Sequence, residues 1–301
     1  MKIVPGDKLA QEIKQKLKDT IQTEEIHPKL VIIYAGENEA SRIYVDKKIA
    51  WAKEVGISAE LIRLTQTTTE ELLKITKTLN EDAETSGYIL QLPLPSNIDT
   101  YKVLENISPK KDVDGLNPIS IGKLYHNQKD HLISATALAV LECLKYVAKY
   151  QDDNQYSVDE ITQEADELLA EFLNEKNILL INHSILVGKP LTALLLQYKC
   201  TVTIAHKFTK PDRLGKLIND SDIIISATGQ SGLINKDMVH DGQVLIDVGI
   251  NKSAQKIGGD VDAKGMENLD IWLTPVPDGV GPVTVAMLLN NTVKAHIKGV
   301  V

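Results

Sequence analysis

Three features of the sequence predict an α/β protein of two domains around a cleft. Short apolar runs close on glycine or proline, amphipathic helical segments lie between them, and the alternation occurs twice, once up to Pro95 and again from Asn177. Strand and helix in turn at this spacing give a mainly parallel sheet covered by helices. A chain of 301 residues is also about twice the usual size of one domain.

The elements follow in order. Leu9, Ile13, Leu17 and Ile21 recur at intervals of four, so a helix capped by Asp7 runs to about Thr23. Lys29–Ala35 is an apolar run closed by Gly36, which marks a buried strand. A helix over about 40–55, a strand over Ser58–Leu64 and a helix near 69–80 come next. Residues 87–92 form another buried strand, halted by Pro93 and Pro95 because proline cannot continue the ladder. The second series has strands at Asn177–Ile181, Thr201–Ala205, 223–227 and 244–248, with a helix over 190–198. Residues 146–174, between the two series, are polar and acidic. There Ser157 and Glu160 have the spacing of a capping box for a helix reaching Leu173.

The composition, 43% hydrophobic and 25% charged, is that of a globular protein able to bury a core. A formal charge of −8 argues against a general nucleic-acid surface, which needs clustered Lys and Arg. Cys143 and Cys200 are too few for a disulfide framework or a four-ligand zinc site, so no metal is expected and a reducing compartment is. Met1 is followed by a charged amphipathic pattern rather than the apolar core of a signal peptide, and no apolar run has the length of a membrane span. The expected location is the cytoplasm, with no membrane partner.

Candidate chemistry begins at Tyr44 and Lys48. Four residues apart on a helix, they share one face at the carboxyl end of the sheet, where α/β proteins bind ligands. A lysine whose pKa is lowered by its pocket can move protons or position a water. Gln91-Leu92-Pro93-Leu94-Pro95 lies at a strand end, and Lys111-Asp112-Val113-Asp114-Gly115 follows. Singly, each has a plainer reading: most helical lysines are solvated, a glutamine at a strand end usually bonds a loop, and an Asp-Val-Asp-Gly run is usually a turn.

Together these blocks resemble the methylenetetrahydrofolate dehydrogenase/cyclohydrolase family, whose segments read approximately S-x-x-Y-x-x-x-K, Q-L-P-L-P and K-D-V-D-G. Ser184-Ile185-Leu186-Val187-Gly188-Lys189-Pro190, Ile246-Asp247-Val248-Gly249-Ile250-Asn251, Gly259-Asp260-Val261 and Thr274-Pro275-Val276-Pro277-Asp278-Gly279-Val280-Gly281-Pro282 fall in the family's order. The resemblance spans roughly residues 30 to 292. It implies an N-terminal α/β folate and catalytic domain over 1–134, completed by a C-terminal helix at 284–301. A Rossmann-like dinucleotide domain would cover 135–283, with an acidic insertion at about 146–174.

The same resemblance implies oxidation of 5,10-methylenetetrahydrofolate with NADP and hydrolysis of the methenyl product to 10-formyltetrahydrofolate, an activity that serves purine biosynthesis. It places Lys48 as the catalytic lysine, Tyr44 as a surface stacking on the folate, Gln91 as the lysine's support and Asp114 as a hydrogen-bond partner of the pterin. Leu92, Pro93, Gly279 and Pro282 complete the substrate side. Tetrahydrofolate one-carbon derivatives are the implied partners, and a homodimer is the implied assembly.

For the dinucleotide, the loop Asn182-His183-Ser184 to Gly188 has a strand-loop-helix setting that suits pyrophosphate at a helix N-terminus, although a plain βα turn has the same look. The family usually has glycine at the Asn182 position. His206-Lys207 ends the next strand without an acidic residue to chelate an adenosine ribose. A cation there suits the 2′-phosphate of NADP, with His183 as a second contact, and suits NAD less. The resemblance adds Thr228, Gly229 and Ile250 to this site.

Two segments depart from the family. Ser134-Ala135-Thr136-Ala137-Leu138-Ala139 keeps only the threonine of P-C-T-P-x-G, and Asp278 stands where glycine is usual. Both changes are expected to weaken hydride transfer more than hydrolysis. A cyclohydrolase-only protein and a non-catalytic folate-binding protein therefore stand as alternatives to the bifunctional enzyme.

Overall fold

The computed structural model describes residues 1–151, 163–253 and 256–299. In chain order the elements are β1 (Lys2–Ile3), α1 (Gly6–Thr23), β2 (Lys29–Ala35), α2 (Glu39–Val55), β3 (Ser58–Leu64), α3 (Thr69–Glu81), β4 (Gly87–Leu90), α4 (Thr100–Asn106), α5 (Pro118–Tyr125) and α6 (Ala135–Tyr150). Then come α7 (Gln163–Leu173), β5 (Asn177–Ile181), α8 (Gly188–Leu195), β6 (Thr201–Ala205), α9 (Pro211–Asn219), β7 (Ile223–Ser226), β8 (Val244–Asp247), β9 (Asn251–Ser253), β10 (Lys256–Gly258), β11 (Trp272–Leu273) and α10 (Val280–Gly299). Among the described residues no helix is long and apolar enough to cross a membrane.

The chain divides into two units. The N-terminal unit is Ala10–Ala135 with Val285–Val301, and the C-terminal unit is Met1–Leu9 with Thr136–Thr284. The N-terminal unit holds a parallel three-stranded sheet in the order β3-β2-β4. Central β2 is apolar after Lys29 because both of its edges and both of its faces are covered: Leu30 to Ala35 are all buried. The C-terminal unit holds a parallel six-stranded sheet in the order β1-β11-β8-β7-β5-β6. Leu179, Ile181, Ile224 and Leu245 pack there against Leu214 and Ile218 of α9.

Several boundaries differ from the sequence expectation. Helix α1 begins at Gly6, so Asp7 lies within the first turn instead of capping it, and its backbone N–H donates to the Asp278 carbonyl at 3.1 Å. The first nine residues join the C-terminal unit because Lys2 and Ile3 pair in parallel with Trp272 and Leu273. Helix α8 starts at Gly188, two residues early; Pro190 is tolerated because the first turn has no partner for its missing N–H. Residues 146–150 continue α6, while Ser157 and Glu160 lie outside the described residues.

The two departures also take definite form. Residues 135–139 open α6, and Ala135, Ala137 and Ala139 are fully buried, so this segment is closely packed. Asp278 is exposed and adopts φ 74°, the left-handed conformation that glycine takes without strain. Gly6 passes so close that a Cβ on it would collide with the Gly279 carbonyl. The backbone of this turn therefore keeps a glycine's shape with an aspartate in it.

Left-handed backbone costs a residue other than glycine about 1–2 kcal/mol, partly offset by glycine's extra entropy in the unfolded chain of roughly 0.5–1 kcal/mol. Asp278→Gly is expected to raise the thermal midpoint by about 1–3 °C. An unchanged or lower midpoint in a scanning calorimeter counts against a strained turn.

Candidate active site

Two strands and one helix assemble the reactive group of the N-terminal unit. Asn38 caps α2, its side chain accepting from the Ser41 N–H at 3.1 Å, and Gly56 at φ 95° ends the helix. This fixes Tyr44 and Lys48 one turn apart, both half-buried. Strand β4 delivers Gln91 at its carboxyl end, where the Gln91 backbone N–H donates to the Ile33 carbonyl of β2 at 2.8 Å. The Gln91 Nε2 donates to its neighbour's carbonyl, that of Leu92, at 2.8 Å, which turns Oε1 toward the helix. Lys48 Nζ donates to that oxygen at 3.0 Å.

The electrostatics of this arrangement are unusual for a lysine. Its only hydrogen-bond partner among the described residues is an uncharged amide. Burial lowers the Lys48 pKa below the ordinary range, and the nearby Asp114 carboxylate opposes the change only in part. Burial likewise raises the Asp114 pKa, with Lys48 opposing. Each group is thus pushed toward its neutral form. Burial also raises the pKa of the half-buried Tyr44 hydroxyl.

Asp114 sits in a loop that is held from below. Asp112, 1% exposed, accepts from the Asn117 backbone N–H at 2.5 Å. Burial pushes its pKa up to about 7 against the hydrogen bonds that favour its charge. Asn117 caps α5 through Ile119 N–H at 2.7 Å and donates to the Ile107 carbonyl at 2.8 Å. Gly115 takes φ 68° where a Cβ would collide with the backbone of Ile133 and Ser134. Asn291 of α10 ties Val113 to Ile133, donating to both carbonyls at 2.9 and 2.8 Å.

In the C-terminal unit the carboxyl ends of β5, β6, β7 and β8 carry a second cluster. Asn182 organises it: Oδ1 accepts from the N–H groups of Ser184 at 2.7 Å and Gly188 at 3.0 Å, while Nδ2 donates to the Ala227 carbonyl at 2.5 Å. A Cβ on Gly188 would lie 2.5 Å from the Asn182 carbonyl oxygen, so the loop closes tightly onto the start of α8. The His183 and His206 rings lie 4.9 Å apart, and Lys207 Nζ sits 5.0 Å over the exposed Phe208 ring. The Asn251 side chain donates to the Gly229 carbonyl at 2.9 Å, which brings the Gly229 and Ile250 turns together. A tight loop at a helix N-terminus beside exposed cationic and aromatic groups, with no carboxylate at the end of β6, fits a phosphorylated dinucleotide.

Residues 4–114 match the catalytic domain of the tetrahydrofolate dehydrogenase/cyclohydrolase family, and residues 159–299 match its NAD(P)-binding domain. The chain belongs to that family. It is 39% identical over 298 residues to the Bifunctional protein FolD of a Hydrogenobaculum species, covering 98% of this chain and 99% of that one. Its fold matches the crystal structure of the bifunctional FolD enzyme of Campylobacter jejuni with a TM-score of 0.87 at 36% identity, over 99% of both chains. The Trypanosoma brucei dehydrogenase-cyclohydrolase, solved with NADP cofactor and an inhibitor, matches with a TM-score of 0.87 at 29% identity over 99% of this chain and 98% of that one.

Nothing in these relatives supports a cyclohydrolase-only or non-catalytic reading. Of the residues singled out in the sequence, Tyr44, Lys48, Gln91, Leu92, Pro93 and Asp114 all fall in the unit that carries the family's catalytic domain. Asn182, His183, Ser184, Gly188, His206, Lys207, Thr228, Gly229 and Ile250 fall in the other. Gly279 and Pro282 also belong to the C-terminal unit, buried at the turn into α10. Sequence reasoning gave no part to Asp112, Phe208 or Asp260. The first two lie beside residues it did name; Asp260 stood only inside a matching block.

A lysine held by an amide titrates early. In competitive amine labelling across pH, Lys48 is expected to become reactive at lower pH than the solvated lysines, and Asp114→Asn, which removes the opposing carboxylate, lowers its midpoint further. A Lys48 midpoint that coincides with those of surface lysines contradicts the assignment.

Proposed function

We propose that the protein oxidises 5,10-methylenetetrahydrofolate to 5,10-methenyltetrahydrofolate with NADP and hydrolyses that product to 10-formyltetrahydrofolate, with Lys48 handling the protons of the hydrolytic step. The observation that carries this is the half-buried Lys48 amine bonded to Gln91 Oε1 at 3.0 Å. The methenyl carbon is a cationic, amidine-like electrophile. Water adds to it and gives up one proton; the bond from that carbon to one ring nitrogen then breaks as the nitrogen takes a proton and the added hydroxyl releases its remaining proton to solvent, leaving the formyl group. An uncharged amine accepts the first proton and returns it as an ammonium, so one group serves both steps. Gln91 holds the amine without the charge of a carboxylate, which would keep it protonated.

Tyr44 offers a ring face, one helical turn from Lys48, on which the folate stacks. Asp114, without a protein hydrogen-bond partner among the described residues, accepts from the pterin N–H groups. Leu92 and Pro93 supply apolar surface next to Gln91. The dinucleotide, when bound, supplies the hydride acceptor. The loop from Asn182 to Gly188, closed onto the start of α8, receives its pyrophosphate, while Lys207 and His183 receive a 2′-phosphate. The NADP bound to the Trypanosoma brucei relative supports this choice over NAD. We read the assembly as a cytoplasmic homodimer that supplies one-carbon units to purine biosynthesis, by the family resemblance.

Lys48→Met is expected to lower methenyl hydrolysis by roughly a hundredfold or more, the usual contribution of an acid-base group, with the far-ultraviolet circular dichroism unchanged. A loss below about tenfold in the folded variant removes Lys48 from that role.

NADP is expected to bind more tightly than NAD, and Lys207→Ala to weaken NADP selectively by roughly 1–3 kcal/mol, the range of a charge-assisted contact. Equal calorimetric affinities of the unmutated protein for the two dinucleotides would sink the choice.

A further inference from the structure

The carboxyl ends of β7 and β8 are tied by two buried carboxylates that the proposed chemistry does not use. Asp247, 2% exposed, accepts from the backbone N–H groups of Gly249 at 2.9 Å, Asp260 at 3.1 Å and Val261 at 2.8 Å. Asp260 is fully buried, and its Oδ2 accepts from Ser226 Oγ and from the Thr228 backbone N–H, both at 2.6 Å. Its other oxygen, Oδ1, has no hydrogen-bond partner among the described residues. Leaving a buried acceptor without a partner is unfavourable, so a carboxylate kept in this position asks for a reason.

The reason lies in what the two oxygens face. Oδ2 holds the turn that carries Thr228 and Gly229. Oδ1 lies against the Gly249 backbone, so close that a Cβ at residue 249 would collide with it, and Ile250 is the next residue. Asn251 then donates across to the Gly229 carbonyl at 2.9 Å. One side chain therefore sets the separation of two turns that leave adjacent strands, and both turns hold residues assigned above to the dinucleotide.

We propose that Asp260 is a positioning residue for dinucleotide binding: its carboxylate spans the Thr228–Gly229 and Gly249–Ile250 turns and fixes the gap into which the dinucleotide fits. The inference rests on the dinucleotide reading given above. Gly249 belongs to the same device, since only a residue without a side chain leaves room for the carboxylate. Asp260 acts through the backbone of Thr228 and touches no reacting atom.

The test is calorimetric titration of the full chain with NADP, paired with the methenyl hydrolysis rate, for the unmutated protein, Asp260→Ala, Asp260→Asn and Ser226→Ala. Asp260→Ala frees the Thr228 N–H and is expected to raise the NADP Kd about tenfold or more while hydrolysis, which rests on Lys48 in the other unit, stays within about twofold. Asp260→Asn retains an oxygen to accept from Thr228 and is expected to restore most of the affinity. If Asp260→Ala does not fold, Ser226→Ala, which removes one of the two bonds to Oδ2, carries the comparison with an expected rise of about threefold. An unchanged Kd in the folded variants overturns the role of Asp260 alone, as does a fall in hydrolysis that parallels the loss of binding, since that marks a general structural defect. Failure of the unmutated protein to bind either NADP or NAD overturns the dinucleotide reading and this proposal with it.

Discussion

An amine held away from water against an uncharged oxygen is costly unless the surroundings are built to keep it there. Lys48 is in that position, bonded to Gln91 Oε1 and with the Asp114 carboxyl close enough to be felt but not hydrogen-bonded to it. The N-terminal unit supplies what the arrangement needs. The cap at Asn38 sets the phase of α2, the bond from Gln91 N–H to Ile33 sets the end of β4, and the second bond of the Gln91 amide sets which of its atoms faces the amine. A glutamate in place of Gln91 could still accept from the amine, but it would lock the amine in its charged form and lose the bond to the Leu92 carbonyl.

Backbone polar groups explain much of the rest. Where strands of a parallel sheet stop, N–H groups lose their ladder partners and must find others. In both units the partners are short polar side chains: Asp112 and Asn117 around the loop of Asp114, and Asn182, Asp247 and Asp260 around the dinucleotide loops. Because these side chains face inward to hold backbone, the turns they hold present other groups outward. His183 and Thr228 are exposed as a result. The scaffold carboxylates and the proposed ligand-facing residues therefore divide the work between them, and glycines mark where a neighbour comes too close for a Cβ: another stretch of backbone at 115 and 188, the Asp260 side chain at 249.

Most strands of both sheets were legible because buried parallel strands leave a local signature, an apolar run closed by a turn residue. Tyr44 and Lys48 were legible as a pair because helical spacing alone places them on one face. The pairing of β1 with β11 was not, since two residues at one end of the chain meet two near the other and neither run is long enough to show a pattern. Helix α6 was passed over because it is apolar on nearly all sides, which erases the amphipathic period that betrays a surface helix. Asp112 and Asp260 look like ordinary turn aspartates in the sequence. Their burial and their backbone partners exist only in the folded chain. At Asn182, where the family usually has glycine, the asparagine side chain organises the loop through three hydrogen bonds, which no local pattern in the sequence shows.

One chain carries both proposed sites, an amine for hydrolysis in one unit and a phosphorylated-dinucleotide site in the other. The most direct measurement is a paired spectrophotometric assay of the unmutated protein, methylenetetrahydrofolate with NADP in one cuvette and methenyltetrahydrofolate without dinucleotide in the other. Reduction of NADP in the first and loss of the methenyl absorbance above the buffer rate in the second are the predicted results. Hydrolysis with no reduction of NADP or NAD, or binding of folate with neither reaction, contradicts it.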